Sequence, residues 1–322
     1  GALAVQAGTL ADVQAKGSVT CGVSKGLAGF SAADSSGTWT GIDVDVCRAV
    51  AAAVLGDADA VNYISLNAVE RFTALQSGEV DVLSRNTTWT TTRDTTLGLN
   101  FTGVTFYDGI GFMVNKDLGI SSADELDGAA ICIQSGTTTE LNVADYFRAN
   151  GMEFDPIVFD TSEQTVGGFQ AGRCDVLTSD TSQLAALRIQ LDDPASAMIL
   201  PDIISKEPLG PVVRQGDDEW FNIVKWSLFA MINGEEYGIT SENVDEMLNS
   251  DNPDIARLLG QDGNYGEGMG LEADWAYNIL SQVGNYGESF ERNVGMGSPL
   301  EIERGINALW TQGGIQYAPP IR

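Results

Sequence analysis

The chain has 322 residues, of which 43% are hydrophobic and 19% are charged, which is typical of a globular protein with one large or two medium domains. It contains 17 Lys and Arg against 45 Asp and Glu, and the formal net charge of −28 argues against a nucleic-acid partner, because phosphate binding requires clustered basic residues. There is no histidine, which excludes Ser-His-Asp and Cys-His triads and histidine-ligated metals, and we expect neither a metal site nor a cofactor.

No run approaches the roughly 20 apolar residues of a membrane span. No charged-then-apolar leader is visible, and we expect a mature form from which a signal peptide has been removed.

The first part of the chain predicts alternating strands and helices. Val19–Val23 forms a short apolar strand that runs into the glycine-rich loop 24–30. The stretch 22–26 matches the nucleophile-elbow pattern G-x-S-x-G, but no histidine is available to complete a triad, so the hydrolase interpretation is rejected. Gly41–Asp43 then leads into a predicted helix that ends near Gly56.

Helix and strand signals continue up to a polar segment. Asn67 and Glu70 form a capping pair that predicts the start of the next helix, and Gly78 ends it. The predicted strand Val80–Leu83 then delivers the stretch Ser84–Arg93. Such alternation favours a largely parallel sheet, in which ligands bind beyond the carboxyl ends of the strands.

A second α/β unit is predicted after an apolar stretch, Phe101–Val114, that would cross between units. Its first strand is Ala129–Ile133, followed by the loop 134–138 and a helix. Backbone N–H groups at a helix start favour an anion, and threonine hydroxyls add donors. Plain N-capping by Thr138 or Thr139 is the alternative interpretation.

The second unit repeats the strand-to-helix pattern. Thr161 and Gln164 form another capping pair, and the predicted strand Val176–Ser179 leads to Asp180 and a helix from about Ser182. The second unit therefore also presents polar groups after a strand.

The remaining chain predicts a return crossing and a helical tail. The stretch 203–211 looks like the return crossing, and two extended crossings between two units make a hinge. Asp218–Asn233 predicts an amphipathic helix with core aromatics, and several short helices with glycine-rich turns follow beyond Gly238.

A partial internal repeat relates the two units. Residues 78–87 and 172–181 share the pattern G-x-x-D-V-L-[ST]-x-[ND]-T, 94 positions apart. The first copy is followed by Arg93, a cation, and the second contains Asp180, an anion, at its strand end. A cleft with a cation on one wall and an anion on the other is suited to a zwitterion.

The four cysteines are Cys21, Cys47, Cys132 and Cys174, and none forms a CxxC pair typical of zinc or dithiol redox sites. Of the three possible connectivities, Cys21–Cys47 with Cys132–Cys174 is favoured, because each pair then stays within one unit. Two disulfides indicate an oxidising compartment such as a periplasm. The alternative is four buried thiols in a cytosolic protein.

Several motifs carry a resemblance to a known family. The stretches that resemble the polar amino-acid-binding proteins of ABC importers are 41–46, 71–81, 86–93 and 134–138. Those similar to the narrower general L-amino-acid-binding subfamily, which includes glutamate/glutamine/aspartate/asparagine-binding members, are 84–89, 174–177 and the tail from Ala308 to Arg322. The resemblance covers nearly the whole chain.

The resemblance implies an α/β, two-lobed periplasmic-binding-protein fold (type II) with two hinge strands and a helical C-terminal extension. Lobe I is expected over 1–113 and 208–322, with the helical tail from about 238, and lobe II over 114–207. The implied function is extracytoplasmic binding of L-amino acids, either of polar, acidic and amide types or over a broad range, and delivery to an ABC importer by lobe closure. The expected partners are the amino acid and, transiently, the importer's membrane permease. We expect a monomer without enzymatic activity in a Gram-negative-type periplasm.

The resemblance also implies roles for single residues. Arg93 is expected to bind the α-carboxylate with its planar fork, and Asp180 to receive the α-ammonium. Further expected ligand contacts are Thr88, Asn86, Ser135, Thr137 and Thr138, and candidates for the side-chain pocket are Arg85, Lys25, Phe30 and Gln134. The alternatives are a surface salt bridge of Arg93 with Asp94 or a helix-start residue, an N-cap role for Asp180 in place of or together with ligand binding, and solvated surface charges at Arg85 and Lys25.

Two other functions compete with transport. An enzyme on the same fold, such as a periplasmic dehydratase, would need an acid/base pair in the cleft, for which Glu70, Glu140 and Glu207 are loosely placed. A cleft carboxylate with a strongly raised pKa would favour that hypothesis. A chemosensory binding protein would share the ligand site and hand its signal to a membrane receptor.

Overall fold

The computed structural model describes residues 8–322. Its strands are β1 (Val19–Val23), β2 (Ala32–Ala33), β3 (Trp39–Thr40), β4 (Val61–Ser65), β5 (Val82–Leu83), β6 (Leu99–Phe101), β7 (Phe106–Asp108), β8 (Ile110–Asn115), β9 (Ala129–Gln134), β10 (Phe154–Phe159), β11 (Val176–Asp180), β12 (Ala197–Ile199), β13 (Glu207–Leu209) and β14 (Val212–Arg214). Its α-helices are α1 (Thr9–Lys16), α2 (Ile42–Leu55), α3 (Glu70–Gln76), α4 (Thr91–Thr95), α5 (Thr138–Ala149), α6 (Ser162–Gln170), α7 (Thr181–Arg188), α8 (Asp218–Glu236), α9 (Val244–Met247), α10 (Pro253–Leu258), α11 (Trp275–Gln282) and α12 (Tyr286–Asn293).

Two five-stranded sheets have the same internal arrangement. Their orders are β4-β1-β5-β14-β6 and β10-β9-β11-β8-β12. In each sheet the first three strands are parallel, whereas β14 and β8 run antiparallel to both of their neighbours. β5 and β11, which carry the two copies of the repeat, occupy the same middle position. The prediction of two related α/β lobes is therefore confirmed, and we name them the first and the second lobe.

A two-stranded antiparallel ribbon, β7 with β13, connects the lobes and places Asp108 opposite Glu207. The ribbon corresponds to the two predicted hinge strands. The expected boundary at 113/114 falls inside β8, which is hydrogen-bonded within the second sheet. We propose that the lobes divide at the ribbon itself.

Local sequence signals explain several helix boundaries. The Glu70 N–H donates to Asn67 Oδ1 at 2.8 Å and the Asn67 N–H to Glu70 Oε2 at 3.0 Å, so this capping pair is confirmed. Thr161 and Gln164 form the second predicted capping box at the start of α6. The chain enters α2 through Gly41 at a φ of 140°, where a Cβ would lie 2.0 Å from a backbone oxygen. Only glycine fits there.

Both predicted cysteine pairs lie at disulfide distance. Cys21 and Cys47 join β1 to α2 with their Cα atoms 6.2 Å apart. Cys132 and Cys174 join β9 to the segment before β11 with a separation of 5.6 Å. Each link stays within one lobe.

The helical C-terminal extension is confirmed and packs on the first lobe. α11 lies against α2 and α8, and α12 also contacts both. Tyr286 donates its hydroxyl to Thr105 O at 2.5 Å, immediately before β7. Within the part of the chain that the structure describes, no helix has both the length and the apolarity to span a membrane.

Candidate functional site

The carboxyl end of β5 forms the first wall of the candidate site, and the start of α2 holds it in place. The Ser84 hydroxyl donates to Asp43 O at 2.8 Å, and the Asn86 N–H donates to Asp43 Oδ2 at 2.7 Å. Asn86 has a φ of 38°, and its buried Oδ1 has no hydrogen-bond partner among residues 8–322. A fixed backbone with an unsatisfied acceptor is a pattern found at ligand sites.

Arg93 is buried on the same wall. Its Nη1 donates to Thr88 O at 3.0 Å, and its guanidinium lies over the Phe72 ring, 4.9 Å from the centroid. The alternative salt bridge to Asp94 is not formed, since Asp94 Oδ1 instead accepts from the Phe101 N–H at 3.1 Å. Burial lowers the pKa of Arg93 to about 10, and the carboxylates of Glu207 and Asp180 oppose that shift.

Arg71, which the sequence analysis did not select, is a second buried guanidinium on this wall and is 3% exposed. The Arg71 Cζ lies 4.8 Å from the centroid of the same Phe72 ring, and the Arg71 Nε has no hydrogen-bond partner in the described residues. The helical spacing of apolar residues along α3 is the sequence signal that could have identified Arg71 as buried. Ala74 and Leu75, three and four positions later, are the other buried residues of α3.

Asp180 ends β11 and faces the first lobe from the second wall. Asp180 occupies the N-cap position of α7, but its side chain makes no cap bond to that helix, and its Oδ2 instead accepts from Gln183 Nε2 at 2.7 Å. Burial raises its pKa well above the ordinary value, the nearby Asp108 and Glu207 raise it further, and Arg71 and Arg93 oppose the shift.

The start of α5 supplies the remaining polar groups of the second wall. Thr137 is the N-cap, since its Oγ1 accepts from the Glu140 N–H at 3.4 Å, which corrects the expectation of Thr138 or Thr139. The Thr138 hydroxyl donates to Glu207 Oε2 at 2.9 Å. The buried Ser135 Oγ has no partner among the residues described.

The two walls border a small cavity of about 20 Å³. It is lined by Arg71, Arg85, Asn86, Thr88, Gln134, Thr137, Thr138, Thr139, Ser179, Asp180 and Gln183. The lobes touch at its edge, where a Cβ on Gly136 would lie 2.7 Å from Val69 Cγ2. Arg71 Nη2 also reaches Gly136 O at 3.4 Å. The structure is therefore a closed arrangement of the two lobes.

The candidates for the side-chain pocket divide into two groups. Arg85 and Gln134 line the cavity, and Arg85 is 4% exposed with its Nε bonded to Leu66 O at 2.7 Å, so it is not a solvated surface charge. Lys25 and Phe30 do not line the cavity. Lys25 is exposed beside Glu70, and Phe30 is buried in the first-lobe core, 5.9 Å from the Phe106 ring centroid.

Charges of opposite sign therefore face each other across the cavity. Arg71 and Arg85 line the cavity from the first lobe, whereas Arg93, which is bonded to the lining residue Thr88, is not itself a lining residue. No carboxylate of the described residues forms an ion pair with any of the three. Asp180 lies opposite in the second lobe. Buried charges without partners are costly, so a ligand that carries both signs would lower the free energy of this closed arrangement.

Comparisons with known proteins agree with this geometry. Residues 19–243 match the family model of bacterial extracellular solute-binding proteins, family 3. The general L-amino acid-binding periplasmic protein AapJ of Rhizobium johnstonii is 62% identical over 324 residues, covering 100% of this chain and 95% of the relative. The glutamate/glutamine/aspartate/asparagine-binding protein BztA of Rhodobacter capsulatus is 54% identical over 320 residues, covering 99% and 95%. A solved ABC transporter/periplasmic binding protein from Brucella ovis with glutathione bound has a TM-score of 0.97 and 57% identity, covering 98% and 100%.

Proposed function

The chain belongs to the bacterial extracellular solute-binding proteins of family 3, and from that membership we propose that it binds L-amino acids and delivers them to an ABC importer. The observation that carries the proposal is the cavity between the lobes, where buried arginines face Asp180 without ion-pair partners. The names of the two relatives support amino acids, including acidic and amide types, as the ligand class.

The proposed binding mode uses both walls. Arg93 would receive the α-carboxylate with two charge-assisted hydrogen bonds, and Asp180 would accept from the α-ammonium. The unpartnered Asn86 Oδ1 and Ser135 Oγ would complete their hydrogen bonding on the ligand, together with Thr88 and Thr137.

Delivery would follow from closure of the lobes about the ribbon. A zwitterion that contacts both walls binds the closed form more tightly than the open form, so it shifts the population toward closure. The importer's permease, a transient partner, would then recognise the closed protein.

We further propose a monomer in the periplasm of a Gram-negative-type cell, supported by the two disulfides and by the periplasmic relative. Light scattering with and without ligand tests the monomer.

The raised pKa of Asp180 is the observation that would favour an enzyme on this fold. Its physical cause is burial beside two further carboxylates, and a bound ammonium would oppose the shift, because a nearby cation favours the ionised carboxylate. A binding function therefore explains the shift without a reaction. The relatives are binding proteins, and we propose that the ligand leaves unchanged. Recovering bound amino acids after long incubation and analysing them by mass spectrometry tests this, since a converted ligand would establish an enzyme.

Calorimetry on ligand-stripped protein with the L-amino acids and their D-forms tests the binding function. We expect several L-amino acids to bind and Arg93→Ala to weaken all of them by roughly 100-fold or more, because the α-carboxylate is common to all. Lys25→Ala removes a cation outside the cavity and serves as the control. Unchanged affinity in Arg93→Ala, with Lys25→Ala also unchanged, would refute the proposed role of Arg93.

A further inference from the structure

We propose that Gln183 is a positioning residue for ligand binding, whose side-chain amide stabilises the ionised carboxylate of Asp180 and leaves one carboxylate oxygen for the ligand's α-ammonium. This inference rests on the proposed function, because Asp180 matters here as the acceptor for that ammonium. Gln183 acts on a group that all α-amino acids share. It therefore sets the affinity for all of them without recognising a ligand side chain.

The start of α7 differs from an ordinary capping box. Asp180 is the N-cap and Gln183 is the third helical residue, the two positions whose side chains accept each other's backbone N–H groups in such a box. The Asp180 side chain makes no cap bond. Instead, Asp108 of the ribbon accepts from the Ser182 N–H at 3.2 Å and from the Thr181 hydroxyl at 2.7 Å. Because another carboxylate caps the helix, the carboxylate of Asp180 is available for a different partner.

Gln183 provides this partner through an amide of fixed orientation. Its Nε2 donates to Asp180 Oδ2 at 2.7 Å, and its Oε1 accepts from the Ser179 hydroxyl at 3.0 Å. The hydroxyl thus holds the amide with its N–H groups toward the carboxylate. An amide N–H is a donor only, so it stabilises the ionised carboxylate more than the protonated acid.

The neutral charge of Gln183 suits a site that must accept a cation. Gln183 and Asp180 both line the cavity and are 7% and 5% exposed, so the ionised carboxylate needs compensation within the protein. A lysine or arginine at position 183 would supply a permanent counter-ion and compete with the ligand's ammonium. The amide compensates part of the cost of burial and leaves the negative charge unpaired.

Four other charged groups act on the same carboxylate. Burial raises the pKa of Asp180, Asp108 and Glu207 on the ribbon raise it further, and Arg71 and Arg93 on the first lobe oppose the shift. Removing the amide leaves all four charges in place. The difference between an amide-free variant and the wild type therefore isolates the contribution of the amide to the charge state of Asp180.

Calorimetry of L-glutamate and L-glutamine binding between about pH 6 and pH 8.5 tests this role on ligand-stripped protein. Gln183→Met keeps the length of the side chain and removes the donor. It should weaken both amino acids equally, by roughly tenfold at about pH 6, because more of the carboxylate is then protonated. The loss should shrink as the pH rises. In two buffers with different ionisation enthalpies, the variant should release more protons on binding at about pH 7 than the wild type.

Gln164→Met is the matched control, because Gln164 is also the third residue of a second-lobe helix but forms the ordinary capping box of α6 outside the cavity. It should lower the melting temperature and leave the affinities and the proton release unchanged. Wild-type affinity in Gln183→Met would overturn the role of Gln183. A loss that is the same at every pH, with unchanged proton release, would also overturn it, because a purely structural defect has that signature.

Should Gln183→Met not fold, Ser179→Ala decides the question, since it removes the donor that orients the amide. It should give a smaller loss with the same pH dependence, and a loss independent of pH, or none, would overturn the role. Failure of the proposed function would appear differently, as a wild-type protein that binds neither amino acid at any pH.

Discussion

At Asp180, burial together with Asp108 and Glu207 raises the carboxyl pKa well above the ordinary value for aspartate. In the proposed binding mode an ammonium ligand binds the ionised carboxylate, so protonated Asp180 would release its proton on binding. We therefore expect the affinity for a bound L-amino acid to rise with pH above the ordinary pKa range of aspartate, by at most about tenfold per pH unit. Calorimetry in two buffers with different ionisation enthalpies would measure the released proton.

Asp180→Asn provides the comparison for this prediction. The amide cannot ionise, so its affinity should be low and independent of pH over the same range. A wild-type affinity that is constant with pH, with no proton released, would show that Asp180 is already ionised in the empty cleft.

Asp43 gives a second pH dependence, on stability rather than on binding. Burial raises its pKa from 3.8 to about 7, although the Asn86 N–H and Arg85 both lower it. Between these two values the folded state binds more protons than the unfolded state, so the stabilisation present below about pH 4 is lost as pH rises to about 7. Relative to Asp43→Asn, the wild-type free energy of unfolding should fall by a few kcal/mol, in order of magnitude, from about pH 5 to pH 8.

Urea denaturation at both pH values measures that difference. Asp217→Asn is the control, because the pKa of Asp217 is lowered and its contribution is lost only in more acidic solution. The difference in the free energy of unfolding between Asp217→Asn and wild type should be constant between about pH 5 and pH 8. If the corresponding difference for Asp43→Asn is also constant over this range, the raised pKa of Asp43 is contradicted.

At the scale of elements, the ribbon between the lobes is hydrogen-bonded to the starts of α7 and α5, which contribute residues to the second wall. Asp108 accepts from the Thr181 hydroxyl at 2.7 Å and from the Ser182 N–H at 3.2 Å, at the start of α7. Glu207, its cross-strand neighbour, accepts from Thr138 at the start of α5 at 2.9 Å. The hinge strands therefore position Asp180 and the 134–138 loop as well as joining the lobes.

Asp108→Ala should consequently weaken amino-acid binding by roughly tenfold, because the start of α7 loses its cap and Asp180 loses its fixed position. Asp108→Asn keeps an acceptor and should recover most of the affinity. Asp217→Ala removes the cap of α8, where Asp217 accepts from the Trp220 N–H at 3.0 Å, and should lower the melting temperature without changing affinity. If the two alanine variants weaken binding equally, or neither does, the positioning role is wrong.

These elements also show what the sequence could predict. Capping pairs, helix-ending glycines and the repeat are local signals, and they located α2, α3, α6, the end of β11 at Asp180 and the segment after β5 that contains Arg93. The strands β4 and β10 were not predicted, because they lie at sheet edges with half-buried or exposed residues and lack a continuous apolar run. Asp108 was not selected and Glu207 was only loosely placed, because their roles depend on contacts across the ribbon. Phe30, a pocket candidate by resemblance, belongs to the core because it packs against Phe106.

At the scale of the whole molecule, the C-terminal extension contacts the ribbon along β7. Asn307 accepts from the Tyr107 N–H at 2.7 Å and donates to Tyr107 O at 3.2 Å. The Asn307 side chain therefore makes the two backbone hydrogen bonds that a neighbouring strand would make with β7. Gln316 Nε2 donates to Val104 O at 3.0 Å just before this strand. The extension therefore fixes the first-lobe end of the hinge.

A groove behind the ribbon separates this extension from the second lobe. Ile302 and Ile306 line it from the extension, and Ala185, Ile199 and Ile203 line it from the second lobe. The groove borders the ribbon between the extension and the second lobe, so we expect the rotation about the ribbon that opens the cavity to narrow the groove. The extension should thus limit how far the lobes open.

Ile306→Trp tests this limit, since Ile306 is 55% exposed in the groove and a larger side chain there should obstruct opening. We expect the ligand-free variant to have a smaller radius of gyration by X-ray scattering than the ligand-free wild type. Its bound amino acid should also dissociate more slowly in stopped-flow fluorescence, because dissociation requires opening. Met296→Trp, at a 59% exposed position of the extension outside the groove, should match the wild type in both measurements. An Ile306→Trp protein that opens and releases ligand like wild type would show that the groove stays wide enough in the open form to impose no limit.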